Sequence, residues 1–201
     1  VKTHLQLKKS KDLIEAYSKE IKKQNDDILD EITYAKNIQT AILPNQQDMD
    51  ACFSENFIIN KPKSIVGGDF FWIKQTTNKL MFAVGDCTGH GITGALMHIM
   101  SHTFLNEIVN YKNVSETNLI LKHLCEDIVE ALHQNANKKL PGLGLDIALC
   151  SFNFSTNIMN FSGAFNPAYI IRNQDFIEIE ADKMPIGIHY LDKDYTNYTL
   201  Q

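Results

Sequence analysis

Residues 5–43 run without a glycine or a proline, and Pro44 closes the run. Within it Leu7, Ile14, Ile21, Ile28, Ala35 and Ile42 recur every seven residues. The positions between them, Ser10, Tyr17, Gln24, Glu31 and Ile38, make a mixed second column, while Leu13, Leu29 and Ile32 broaden the apolar stripe. A stretch this long, with one strictly periodic apolar column, predicts a single helix that proline then stops. Two readings of its apolar stripe remain: a parallel pairing with a second copy of the chain, or packing against its own domain. Either way the chain divides into a coiled-coil or linker helix over residues 1–44 and a second unit over 45–201.

Past Pro44 the periodicity changes. Phe53 to Asn60, Ile65 to Lys74 and Leu80 to Val84 read as strands, with a polar turn at Gln75 to Lys79. Ala95, Leu96, Ile99, Met100, Phe104 and Ile108 give helical spacing over 92–110. Leu119, Leu121, Leu124, Ile128 and Leu132 do the same over about 116–135. After a Gly-rich turn at Leu140 to Leu145 come Ile147 to Phe154, Ile158 to Ser162, Ala168 to Arg172 and Phe176 to Glu180. These are short strands joined by turns such as Ser155-Thr156-Asn157 and Asn173-Gln174. Strands, two helices, then strands predict an α+β layered architecture rather than alternating βαβ units.

The chain carries 44% hydrophobic and 21% charged residues and a formal net charge of −5, the composition of a globular protein. The charge is unevenly spread. Residues 1–44 hold 8 Lys and 7 Asp or Glu, whereas the rest holds 11 Lys or Arg against 17 Asp or Glu. An acidic globular part without a basic stripe argues against nucleic acid as a partner. Cys52, Cys87, Cys125 and Cys150 are scattered and form no CxxC pair, which argues against a zinc knuckle and for free thiols in a reducing compartment. The expected location is the cytoplasm. The chain opens at Val1 rather than Met and stops inside a strand pattern, so it is expected to be part of a longer protein, one that can carry a sensor or a membrane anchor upstream.

Two acidic turns carry the chemistry. One is Gly67-Gly68-Asp69-Phe70-Phe71, the other Gly85-Asp86-Cys87-Thr88-Gly89-His90-Gly91. Each sets an Asp beside glycines at the edge of an apolar strand, and a hairpin from Phe70 to Val84 brings Asp69 and Asp86 side by side. Two adjacent carboxylates repel unless a proton or a cation lies between them. Hard cations such as Mg²⁺ and Mn²⁺ favour such oxygen donors. The second turn leads into a helix, and its glycines permit close approach of a metal or phosphate to the backbone.

The neighbouring candidates have plainer readings. A carboxylate site for a hard cation does not call for imidazole, so His90 is expected to shape the turn or support the site from behind. His98 and His102 share the i, i+4 spacing of a zinc helix but lack the adjacent Glu of HExxH, and are expected on a partly buried helix face. Cys87 has no His–Asn set to make it a nucleophile. Asp146 follows Gly142-Leu143-Gly144-Leu145, either as a further acidic contributor or as the Asp that starts a strand; the second reading is preferred.

On these blocks the chain resembles bacterial PPM-type (protein phosphatase 2C-like) serine phosphatases of the stage II sporulation protein E family. Lys61 to Phe71 and Val84 to Met97 match its two acidic motifs. Gly144-Leu145-Asp146-Ile147-Ala148-Leu149, Phe161 to Ala168 and Met184-Pro185-Ile186-Gly187 follow its later blocks in order. Ile32 to Pro44 is similar to its regulatory linker helix. The resemblance covers roughly residues 32 to 201 and implies an α/β/β/α sandwich, incomplete at the C-terminus.

It also implies a site in which Asp86 bridges two divalent cations, Mn²⁺ or Mg²⁺, with the Cys87 backbone carbonyl a further ligand and Asp69 touching the site directly or through water. The implied reaction is attack of a metal-activated water on phosphoserine or phosphothreonine of a partner protein, such as an anti-sigma-factor antagonist. An upstream sensor and a homodimer through the N-terminal helix are the implied partners. Trp72 stands where many members carry a further Asp. Two later acidic turns of the family do not occur between Met184 and Gln201, so this chain is expected to hold half of the metal site and to be weak or inactive alone. A catalytically silent phosphoprotein-binding or signal-relay module is the alternative.

Overall fold

The computed structural model describes residues 2–133, 142–187 and 193–201. Helix α1 spans Lys2–Ile42, 41 residues that at 1.5 Å per residue reach about 60 Å. Pro44 ends it, and Asn45 at once caps a short second helix, α2 (Gln46–Cys52). There the Asn45 side chain accepts from the Asp48 amide while the Asp48 carboxylate accepts from the Asn45 amide, each at 3.0 Å. This reciprocal pairing satisfies two of the helix's otherwise unpaired donors.

Strands β1 (Phe70–Gln75) and β2 (Lys79–Cys87) form the expected hairpin. Helices α3 (Ile92–Asn110) and α4 (Thr117–Ala131) follow, then β3 (Leu145–Asn153), β4 (Ile158–Ala164), β5 (Ala168–Arg172), β6 (Asp175–Ile179) and β7 (Tyr198–Leu200). The main sheet is antiparallel in the order β1-β2-β3-β4-β7, and β5-β6 makes a separate two-stranded sheet. The strands alternate, so each sends one row of side chains to either face. Phe70, Trp72, Met81, Ala83, Leu145, Ile147 and Leu149 meet Leu105, Ile108, Leu121, Leu124 and Ile128 of α3 and α4 in the larger core. On the opposite face Phe82, Cys150 and Phe161 pack with Ile170 and Ile179 of the hairpin sheet in a smaller one. A buried hydroxyl pair, Thr117 with Ser162 at 2.8 Å, pins α4 to β4. The result is a mixed α+β fold of helices on one side of an antiparallel sheet and a small sheet on the other.

One expected strand is absent. Phe53 to Asn60 has strand-like composition but forms no strand, and Phe57, Ile58 and Ile59 are exposed. A strand needs a hydrogen-bonded neighbour as well as a side-chain pattern, and among the described residues none lies beside this segment. Leu140 and Pro141 of the expected Gly-rich turn, and the last residues expected in α4, lie outside the described residues. No helix among the described residues is long and apolar enough to cross a membrane.

Candidate active site

The acidic turns meet at one end of the main sheet. Phe70 lies opposite Gly85 in the β1–β2 register, so Asp69, one residue earlier, reaches the level of Asp86. Burial first, and then the neighbouring carboxyls of Asp69 and Asp146, push the Asp86 carboxyl above its ordinary range. In the next register Asp86 lies directly opposite Asp146 of β3, whose own carboxyl is raised by burial. Residues 84, 86, 146 and 148 project to the face away from α3 and α4, as the alternation of burial along β2 and β3 requires.

Glycine is required where the two turns touch. A Cβ on Gly68 would sit 2.6 Å from the Cys87 carbonyl oxygen and 3.2 Å from the Cys87 Cβ. The absence of that one carbon lets the Asp69 turn lie against the Cys87 carbonyl. Gly91, at φ 61 and ψ −136, turns the chain into α3 through a conformation that side chains resist, and its carbonyl accepts the first helical bond from the Ala95 amide. His90, between the two glycines, is exposed.

The Cys87 side chain points the other way, into the core beside Ser101. Burial, with the charges of Asp86 and Asp69, holds its thiol up at about 12, against a smaller opposing effect of the Ser101 bond. Such a thiol remains protonated at neutral pH, which removes it as a nucleophile. Trp72 is likewise core. It faces α3, and its indole N–H donates to Asn106 Oδ1 at 3.0 Å.

Behind the Asp69 turn lies a polar joint that no sequence pattern announced. Gln39 of α1 is buried, and its Nε2 donates to the Gly67 carbonyl at 2.6 Å and to His98 Nδ1 at 2.8 Å. Its Oε1 accepts from the Gly67 amide at 3.3 Å. With Nδ1 accepting, the ring proton of neutral His98 sits on Nε2, which finds no partner among the described residues. Burial, with the adjacent His102, lowers His98 to about 4, and the ring stacks on Phe70 at 5.1 Å. His98 is thus a structural residue on a buried helix face, as its sequence context indicated.

The donor set suits a hard divalent cation in kind. It is all oxygen, and it combines two neighbouring carboxyl groups with a backbone carbonyl cradled under a glycine. None of the four ion pairs found among the described residues involves Asp69, Asp86 or Asp146, so no basic side chain balances their charge. The set is open, however: among the described residues no three His, Cys, Asp or Glu side chains close around one point to enclose a metal.

Helices layered on an antiparallel sheet, with acidic turns at one sheet end, is the architecture of PP2C-like phosphatase domains. The fold matches the PP2C domain of SiaA from Pseudomonas aeruginosa at TM-score 0.76 and 26% identity, over 88% of this chain and 68% of that one. It also matches the phosphatase domain of SpoIIE from Bacillus subtilis (TM-score 0.55, 17% identity, 67% of this chain, 37% of that one). The RsbU and RsbW domains of a Mycobacterium tuberculosis protein match at TM-score 0.53 and 16% identity, over 69% of this chain and 36% of theirs. The chain belongs to the stage II sporulation protein E family, whose model matches residues 76–201. That match takes in Asp86 and Asp146 but begins after Asp69. No curated protein matches the sequence.

Proposed function

We propose that this chain is the output domain of a bacterial signalling protein, a Mn²⁺- or Mg²⁺-dependent phosphatase acting on phosphoserine or phosphothreonine of a partner protein. The observation that carries the reading is the β1–β2 register that sets Asp69 level with Asp86 beside the Cys87 carbonyl, at the open end of a PP2C-like sheet. Asp69, Asp86 and the Cys87 carbonyl would hold the cations. When bound, these supply positive charge to neutralise phosphoryl oxygens and lower the pKa of the attacking water. The chain's own part is to position and to exclude rivals. The β1–β2 register fixes the carboxylates, Gly68 admits the carbonyl, and the buried Cys87 thiol stays out of the reaction.

Two further features support a signalling role. The apolar column of α1, Leu7, Ile14, Ile21 and Ile28, is exposed along the helix, which suits pairing with a second copy. The lower end of the same helix enters the fold through Gln39. A cytoplasmic setting agrees with four free thiols, and a phosphorylated protein such as an anti-sigma-factor antagonist is the proposed substrate class.

The test is Mn²⁺-dependent hydrolysis of a phosphoserine peptide by the full-length protein and its Asp86→Asn variant. Loss of a carboxylate that would hold the cations should cost several kcal/mol of transition-state stabilisation, a fall on the order of a hundredfold or more. Activity within twofold of the parent would overturn the assignment. The openness of the acidic set favours one second reading, a module that binds phosphoprotein without turnover. Phosphopeptide binding with no Mn²⁺-dependent hydrolysis would select it.

A further inference from the structure

We propose that Phe165 is a specificity residue of the candidate site, an apolar contact for a substrate side chain that flanks the phosphoserine. The inference rests on the phosphatase reading given above and adds to it a feature of the substrate. Phe165 has a φ of 57, in the left-handed region that glycine and asparagine enter readily and a bulky aromatic does not. The Asn166 amide donates to the Ala164 carbonyl at 2.7 Å, which closes a three-residue turn around Phe165. With a positive φ at its centre, such a turn is the rare and strained form. Its frame holds it there. The Phe165 amide donates to the Asp182 carbonyl and the Asp182 amide to the Gly163 carbonyl, each at 2.9 Å. The Asp182 carboxylate is fastened in turn by the Thr196 amide at 2.6 Å and the Thr196 hydroxyl at 2.9 Å.

The side chain gives the fold nothing in return. Phe165 is 46% exposed and belongs to neither core cluster. Glycine or asparagine at this position would relieve the backbone and remove an exposed aromatic ring. A strained backbone fixed by its frame, carrying a side chain the core does not use, points to a role outside folding. Its place in the sheet says which role. Ala164 lies opposite Ile147, so Phe165, the next residue, reaches the level of Asp146, which itself lies opposite Asp86. Two strand spacings, roughly 10 Å, separate Phe165 from Asp86. An extended peptide covers that distance in about three residues. With its phosphoserine seated at Asp69 and Asp86, a substrate therefore brings a side chain from within about three residues onto the Phe165 ring.

The experiment uses the full-length protein with Mn²⁺ and a set of phosphoserine peptides in a Ser-Gly host sequence. Each peptide carries one leucine, at a different position from three residues before the phosphoserine to three after it. At least one of these leucines is expected to raise kcat/KM about tenfold over the leucine-free host, mainly through KM, the size of effect that one apolar contact supplies. Phe165→Gly and Phe165→Asn remove the ring with residues that accept a positive φ. Both are expected to lose the gain, hydrolysing the leucine peptide and the host within twofold of each other, with circular dichroism checking that each variant is folded. A parent indifferent to every leucine, or a folded variant that keeps the full gain, would overturn the inference and leave the phosphatase reading standing. A parent that hydrolyses none of the peptides in the presence of Mn²⁺ would remove both together.

Discussion

Gln39 and His98 lie fifty-nine residues apart in the chain and 2.8 Å apart in the fold. Because the same Gln39 amide also brackets both backbone polar groups of Gly67, one side chain ties the long helix α1, the turn before Asp69 and helix α3 together. Replacing it with leucine would leave the part-buried carbonyl and amide of Gly67 and the buried His98 Nδ1 without this partner. Gln39→Leu is therefore expected to lose roughly 2–4 kcal/mol of stability, read as a shift of the urea midpoint at unchanged slope. A loss under about 0.5 kcal/mol would mean that water replaces the amide.

His98 makes stability depend on pH with a definite sign. Its folded-state value is lowered to about 4 from an ordinary 6.5. Between those values the unfolded chain binds a proton that the folded chain refuses. Stability should be complete above pH 6.5 and fall as the pH drops toward 4, by up to about 3 kcal/mol from this group. Urea unfolding at pH 7 and pH 4.5 should show a smaller difference for His98→Gln than for the parent. Equal differences would place the acid sensitivity elsewhere.

Gly68→Ala tests the contact between the two acidic turns. The added carbon would meet the Cys87 carbonyl oxygen at 2.6 Å, and that neighbour is backbone in a strand, which cannot swing aside. The variant is expected to lose about 1–3 kcal/mol and to bind Mn²⁺ more weakly than the parent by calorimetry. Unaltered stability and binding would show that the turn has room to spare.

The exposed column of α1 predicts a parallel dimer. Asp at both Ile21 and Ile28 puts charges where a paired seam would bury them, at a cost no short coiled coil can absorb. Sedimentation equilibrium should give a dimer mass for the parent and a monomer mass for the double variant. The same mass in both would remove this helix as the dimer interface.

What the sequence made legible follows from where the relevant contacts lie along it. Asp69 and Asp86 flank a single hairpin, so their meeting depends only on the strand pattern of Phe70 to Val84 and on a polar turn. Local pattern sufficed there, as it did for α3 and α4 and for the turn at Asn173-Gln174. The segment from Phe53 to Asn60 misled because apolar composition states a preference for extended backbone and says nothing about a partner. Asp146 starts β3, as its local sequence indicates, but its pairing with Asp86 spans two helices, and register across such a gap leaves no local trace. Gln39 was invisible for a related reason. On a helix otherwise studded with polar residues, nothing marks the one that turns inward, and only the carbonyl and amide of Gly67 give it a purpose.

The length of α1 has a mechanical consequence. Gln39 sits near one end of a rod of about 60 Å, with most of the rod standing clear of the body as a lever arm. Pushed sideways by a few ångströms at its far tip, a stiff rod of that length turns at its foot by only a few degrees, and the Gln39 amide barely stirs. Twisted about its own axis, the same rod delivers the full angle to its foot, where a modest turn swings the amide away from Gly67 and His98 together. The joint is therefore geared to torque rather than to bending.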